Sequence, residues 1–201
     1  MNEIIVVGLV TLLAVMSPGA DFALVSRNSY LYGRPLGLST AYGIACGVWV
    51  HVAYSVIGLN FLQHHIPGLI QVIQYIGATY LIYIGYKIFT QAAVIFKESH
   101  IDLTRWQAFK HGFFTNSLNP KTTLFVMSIY SQLMSSENSN AKLLGYGLFM
   151  SASHLLWFCL IALFCATPSI RNKILSQQII INRLIGIVLS GLGCSLFIVT
   201  F

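Results

Sequence analysis

The chain has 201 residues, of which 56% are hydrophobic and only 8% charged, with a mean hydropathy of +0.76. A water-soluble domain carries roughly 25% charged residues to hydrate its surface, so this composition excludes one and points to a lipid bilayer. The formal net charge of +6 sits in short connectors between apolar runs, without aromatic-interleaved basic clusters, which argues against nucleic acid and suits a membrane orientation signal.

A hydrocarbon core of about 30 Å takes about 20 apolar residues in a helix. The first candidate span, about Ile4 to Asn28, is preceded by Glu3 in place of a basic stretch. It leads into Ser17-Pro18-Gly19-Ala20-Asp21 in place of a small-x-small cleavage site, so it reads as a span and not as a cleaved signal peptide. Leu36 to Leu62, Ile66 to Tyr86 and Leu143 to Ala166 contain no Asp, Glu, Lys or Arg. Gly112 to Met134 is interrupted by polar residues and Pro120, and Leu184 to Phe201 is just long enough to cross. Runs of this kind exclude the alternating pattern of a membrane barrel. The expected fold is an all-α polytopic membrane protein with about six transmembrane helices.

Basic residues alternate between connectors. The first holds Arg27 and Arg34, the third Lys87, Lys97, Arg105 and Lys110, and the fifth Arg171, Lys173 and Arg183. The second, around Gln63 to His65, has neither Lys nor Arg, and the fourth has only Lys142 beside Glu137. The positive-inside rule then makes connectors one, three and five cytoplasmic and puts both termini outside. Cys46, Cys159, Cys165 and Cys194 lie in apolar runs without CxxC spacing, which favours packing over zinc binding or dithiol chemistry.

The long third connector, about Lys87 to His111, divides the chain into halves of three spans, and an odd number inverts the second half. Weak internal matches follow one order at nearly constant offset: Pro18 with Pro120, Tyr42-Gly43 with Tyr146-Gly147, His51 and Tyr54 with His154 and Trp157. Ile76-Gly77 with Ile185-Gly186 completes the set. The expectation is one membrane domain over 1–201, built as two inverted three-helix repeats at about 1–95 and 105–201.

Inverted repeats characterise secondary transporters, whose sites lie near the midplane at paired helix breaks. Ser17, Pro18, Gly19 and Asp21 form one such break, and Asn116, Asn119, Pro120 and Lys121 the other. Proline removes a backbone donor and obstructs the preceding turn, leaving groups that can bind an ammonium and a carboxylate. Two kinked helices would explain the prolines but not the charge beside each, since Asp21 and Lys121 are costly in hydrocarbon.

Met16-Ser17-Pro18-Gly19-Ala20-Asp21-Phe22 with Val25-Ser26, Gly43-Ile44-Ala45-Cys46-Gly47-Val48, Tyr80 to Tyr86 and Gly112 to Lys121 together resemble the LysE/RhtB family of amino-acid exporters. The resemblance spans essentially the whole chain. Ala20 stands where a second proline is more usual in that family. The resemblance implies export of amino acids or close derivatives, of the threonine, homoserine or homoserine lactone class, by proton antiport across the bacterial cytoplasmic (inner) membrane. The partners are then a small amino acid, protons and lipid, with a homo-oligomer left open.

Asp21 and Lys121 are expected to form an interhelical pair that protonation or a substrate ammonium opens. Desolvation favours the neutral carboxyl and a neighbouring cation the charged one, so the two effects oppose each other. Asn116 and Asn119 offer uncharged amides either to substrate or to the broken backbone. Arg27 reads as the cytoplasmic end of span one. His51 and His154, near the centres of their spans, join Asp21 as proton-coupling candidates; interhelical hydrogen bonding explains both histidines equally well. His64, His65, His100 and His111 fall in connectors. Neither a metal site nor a cofactor is expected, and no GxxxxGK[ST] loop occurs. The rival readings are a metal-ion or other small-solute exporter of the same superfold and a membrane-embedded His-dependent enzyme, of which the metal exporter and the enzyme are short of ligands; the chain reads as a transporter, not an enzyme.

Overall fold

Proline and glycine set the breaks and starts of the helices. The structure, a computed structural model, describes residues 3–91, 103–134 and 139–199; Lys97, His100 and Glu137 lie outside the described residues. The first apolar run divides into α1, Glu3–Met16, and α2, Ala20–Tyr32, which meet at 51° across Ser17-Pro18-Gly19. Gly33, at φ +84°, follows α2 and donates its N–H to the Ser29 carbonyl at 3.1 Å. That left-handed backbone suits glycine because it has no Cβ.

Two long helices come next, α3, Arg34–His65, and α4, Pro67–Phe89. Each carries proline in its first turn, where a missing N–H costs nothing. The same order then recurs: short α5, Arg105–Ser117, and α6, Pro120–Met134, followed by long α7, Asn140–Cys165, and α8, Pro168–Val199. Among the described residues all eight elements are helices. α3 and α7 are long and apolar enough to cross a membrane, and the bent α1–α2 pair adds a third crossing if it is one span. α4, α8 and the α5–α6 pair are helical where further spans are expected.

Helix ends run past the apolar limits read from sequence. α5 begins at Arg105, so Lys110 and His111 are helical, and α8 takes up Lys173 and Arg183. His64 and His65 close the last turn of α3 instead of lying in a connector. Hydropathy marks the hydrocarbon layer, whereas backbone hydrogen bonding continues until a capping signal ends it. At α5 that signal is a capping box: Gln107 N–H donates to Thr104 Oγ1 at 3.2 Å, and Thr104 N–H to Gln107 Oε1 at 2.9 Å. Thr104→Ala is expected to cost about 1 kcal/mol, read as a lower melting temperature in detergent at unchanged helix content.

Small residues bring the backbones together. Gly43 and Gly47, one turn apart on α3, meet α5 at Phe109, Phe113 and Asn116. A Cβ on Gly47 would lie 2.9 Å from Asn116 Cβ, and one on Gly43 would enter the Phe109 carbonyl oxygen. Reciprocally, a Cβ on Gly112 of α5 would enter the Thr40 carbonyl of α3. α4 and α8 are joined in the same way, with the place of a Gly186 Cβ 2.6 Å from the Gly85 oxygen. Close approach of this kind is how helices pack where lipid removes the hydrophobic drive between them.

The outside is apolar. Ile57 is 70% exposed and Leu156 68%, and large hydrophobic side chains face outward on α1, α3, α4, α5, α7 and α8. A water-soluble surface does not carry so much, whereas a lipid-facing one does. The inside holds two apolar clusters. One gathers Val10, Ala14, Phe125, Tyr130 and Met150, and the other Val15, Phe22, Ile44 and Phe158.

Candidate functional site

Both helix breaks come together inside the molecule. At the first, Asp21 occupies the opening turn of α2, where the positive end of the helix dipole favours an anion. At the second, Asn119 precedes α6 and its Oδ1 accepts the Lys121 N–H at 3.0 Å, which caps the helix. The two are then stitched crosswise. Asn116 Nδ2 donates to Asp21 Oδ2 at 2.9 Å and Asn119 Nδ2 donates to the same oxygen at 3.3 Å. In return, Lys121 Nζ donates to the Ser17 carbonyl at 2.9 Å and to Ser17 Oγ at 2.7 Å.

This arrangement corrects the expected ion pair. The described hydrogen bonds of Lys121 Nζ go to Ser17 and not to the Asp21 carboxylate. The physical reason is the break itself. Ser17 follows the last residue of α1, where carbonyls lack helical partners and the dipole favours a cation. Each charge is therefore held by the polar groups of the opposite half, while both line one cavity.

That cavity has a volume of about 20 Å³ and is walled on its polar side by Ser17, Asp21, Asn119, Lys121, Thr122 and His154. It lies on the seam between the apolar clusters, with Ala14 and Phe125 from one and Phe22 and Phe158 from the other on its walls. Its size suits about one water molecule and is far below that of a small-molecule pocket, so a larger occupant requires the breaks to part. Asp21 is 6% exposed, and its Oδ1 is buried without a hydrogen-bond partner. A buried carboxylate oxygen in that condition is a strong acceptor held ready for a donor.

The residues named from sequence separate into three groups. Ser17, Gly19, Asp21, Asn119 and Lys121 line the cavity; Asn116 stands behind Asp21; Pro18 and Pro120 form the breaks without contributing to the wall. The histidines part company. His51 Nε2 is 2.9 Å from the Asn116 carbonyl, and its Nδ1 is 2.6 Å from the Tyr54 hydroxyl. A carbonyl only accepts, so Nε2 carries the proton and Nδ1 accepts from Tyr54. His51 thus anchors the end of α5 from outside the cavity. His154 lines the cavity itself, with Nδ1 donating to the Met150 carbonyl at 2.8 Å. Among the described residues no three His, Cys, Asp or Glu side chains are grouped to hold a metal ion, and all four cysteines are free thiols.

The sequence matches the family described as LysE type translocator over residues 12–200. The chain belongs to that family. The resemblance read from the Pro18 and Pro120 motifs is borne out. This LysE-type translocator is similar to the threonine efflux protein of Salmonella typhimurium, 28% identical over 197 residues that cover 96% of each chain. The threonine efflux protein of Escherichia coli K12 is 27% identical with the same coverage. The membrane protein YrhP of Bacillus subtilis is 28% identical over 190 residues, 89% of this chain and 90% of its own. No solved structure matches. Family membership and the apolar exterior together make the translocator a multi-pass membrane transport protein.

Several wall residues were not singled out from sequence, although helical spacing would have reached them. Phe125 lies four residues after Lys121, Phe158 four after His154, and Thr122 three after Asn119. Positions three and four apart share a helix face, so each follows once the first residue of the pair is assigned. Thr123, whose hydroxyl donates to the Asn119 carbonyl at 3.1 Å and sits 3.4 Å from His51 Nδ1, carried no signal.

Proposed function

We propose that this translocator exports small zwitterionic amino acids or close derivatives, of the threonine, homoserine or homoserine lactone class, across the bacterial inner membrane in exchange for protons. One observation carries the reading: Asp21, with one carboxylate oxygen unpartnered, and Lys121 line one cavity where two helix breaks meet. Asp21 takes the substrate ammonium and Lys121 the carboxylate, with Ser17, Gly19, Asn116 and Asn119 shaping the site. Pro18 and Pro120 keep the breaks open. The efflux activity in the names of the relatives supports the same class of cargo.

Coupling follows from competition. A proton and a substrate ammonium cannot both occupy the Asp21 carboxylate, so each displaces the other. Export then consists of substrate binding at the cytoplasmic face, release outside as a proton arrives, and return of the protonated site. His51 has both ring nitrogens engaged, by the Asn116 carbonyl and the Tyr54 hydroxyl. His154 keeps one lone pair at the cavity, but only the Asp21 carboxylate binds both a proton and an ammonium by charge, so we assign the exchange to Asp21.

The architecture proposed for this cycle is a single domain of six spans in two inverted repeats, about 1–95 and 105–201, with both termini outside. It is supported by the twofold recurrence of two short helices followed by two long ones and by the meeting of the two breaks. Reconstitution in liposomes with an imposed pH gradient and a panel of labelled amino acids and homoserine lactone tests the reading. Gradient-driven movement of one class is expected, reduced at least about tenfold in Lys121→Met through weaker carboxylate binding. Absence of movement for every panel member, with folded protein, overturns it.

A further inference from the structure

We infer that His154 is the specificity residue of the cavity, its Nε2 accepting a hydrogen bond from a hydroxyl on the substrate side chain. The inference rests on the exporter reading above and adds to it which part of the cargo is read, and by what.

The argument begins with the tautomer. His154 is 4% exposed and its Nδ1 is 2.8 Å from the Met150 carbonyl, one turn back on α7. Because a carbonyl only accepts, Nδ1 holds the ring proton and Nε2 is left with a lone pair. Nδ1 lies next to the ring attachment and is tied to its own helix, which leaves Nε2 on the distal edge, the one free to meet a ligand in the cavity that His154 lines. The hydrogen bond given to the ring runs through Nδ1 to Met150, and His154 is one of the residues that line the cavity. Nε2 is thus an acceptor on a side chain that lines the cavity.

The other polar groups on that wall are differently placed. Ser17 is occupied by Lys121, and Thr122 Oγ1 receives Asn116 Nδ2 at 3.4 Å. Two acceptors then remain for a ligand, Asp21 Oδ1 and His154 Nε2, beside one ammonium, Lys121. Asp21 and Lys121 balance in charge and match the two charged groups of a zwitterion. A side chain with its own charge would unbalance the cavity, so basic and acidic amino acids fit poorly. The remaining acceptor is neutral, and a neutral donor completes it: the hydroxyl of a hydroxy-amino acid. The methyl group of an isosteric aliphatic side chain would leave Nε2 buried and unpaired, the condition that makes a polar site reject an analogue lacking its donor.

Threonine and valine have nearly the same shape and differ in this hydroxyl, so their ratio of kcat/KM isolates it. In proteoliposomes with an imposed proton gradient, the wild-type translocator is expected to favour threonine over valine by roughly tenfold to a hundredfold, mainly through KM. His154→Leu is expected to bring the ratio near one, and His154→Gln, whose amide oxygen also accepts, to keep part of the preference. Equal transport of the two by wild type overturns the inference, as does a His154→Leu variant that slows both in the same proportion. A His154→Leu protein that does not assemble leaves the wild-type and His154→Gln ratios to decide. Failure of the exporter reading looks different: no zwitterion moves through wild-type protein at all.

Discussion

Asp21→Asn is expected to abolish proton-driven export in a protein that still folds. The change is nearly isosteric, and the new amide oxygen can still accept from Asn116 and Asn119, which now bond Asp21 Oδ2 at 2.9 and 3.3 Å. Turned that way, however, the amide NH₂ takes the place of Oδ1, the oxygen without a partner. The cavity would then present a donor where the substrate ammonium needs an acceptor, and no carboxylate for which proton and ammonium compete. Loss of one buried charge-assisted bond costs about 2–5 kcal/mol, so uptake of labelled substrate into inverted vesicles should fall at least thirtyfold, and the remainder should not respond to the pH gradient. Unchanged gradient-driven transport by Asp21→Asn would remove the carboxylate from the mechanism.

The second large effect concerns glycines on one helix. Gly43→Ala is expected to destabilise the protein strongly, while Gly58→Ala, further along the same helix, leaves it as stable as before or slightly more so. At Gly43 a methyl group would enter the Phe109 carbonyl, which belongs to a helix backbone and cannot rotate aside. α5 must then move away from α3, at a cost of about 1–3 kcal/mol, which corresponds to a fall of roughly 2–12 °C in melting temperature. At Gly58 a Cβ meets nothing within 4 Å, and the better helix propensity of alanine is worth up to about 1 kcal/mol. The displacement also matters for transport. Asn116 rides on α5 beside Gly47, so moving α5 draws its amide away from Asp21. Melting curves in detergent, with transport measured on the same preparations, check both; equal melting temperatures for the two variants would contradict the close helix contact.

The breaks were legible because proline and glycine act locally. Ser17 to Asp21 and Asn119 to Lys121 announce themselves within five residues, and a charge inside an apolar run is conspicuous wherever the chain folds. The partners of those charges were not legible. A direct bond between Asp21 and Lys121 is the simplest expectation from opposite signs, but helix ends supply competing acceptors and donors that only the assembled backbone reveals. The two histidines make the same point. They occupy matching places in the proposed repeat and read alike in sequence, yet His154 lines the cavity and His51 holds the Asn116 carbonyl. Which face of a buried helix looks inward depends on its neighbours, and an almost uniformly apolar helix carries little periodic pattern to announce it. Helix lengths were misjudged for a related reason, since polar ends such as Arg105 to His111 remain helical outside the apolar layer.

The crosswise stitching has a consequence for how the chain is made. Asp21 and Asn116 are 95 residues apart, and Lys121 lies 104 residues from Ser17. At a synthesis rate of about 5–20 residues per second, the first broken helix leaves the ribosome roughly 5–20 s before the segment that satisfies it. During that interval an acidic side chain and several open backbone groups stand in or beside the bilayer without their final partners, and an isolated charge there is costly. The first helix pair is therefore expected to wait at the insertion machinery, or at the membrane surface, until α5 and α6 arrive. Premature termination after α4 would yield a fragment with its acidic break permanently uncovered, a ready target for membrane proteolysis.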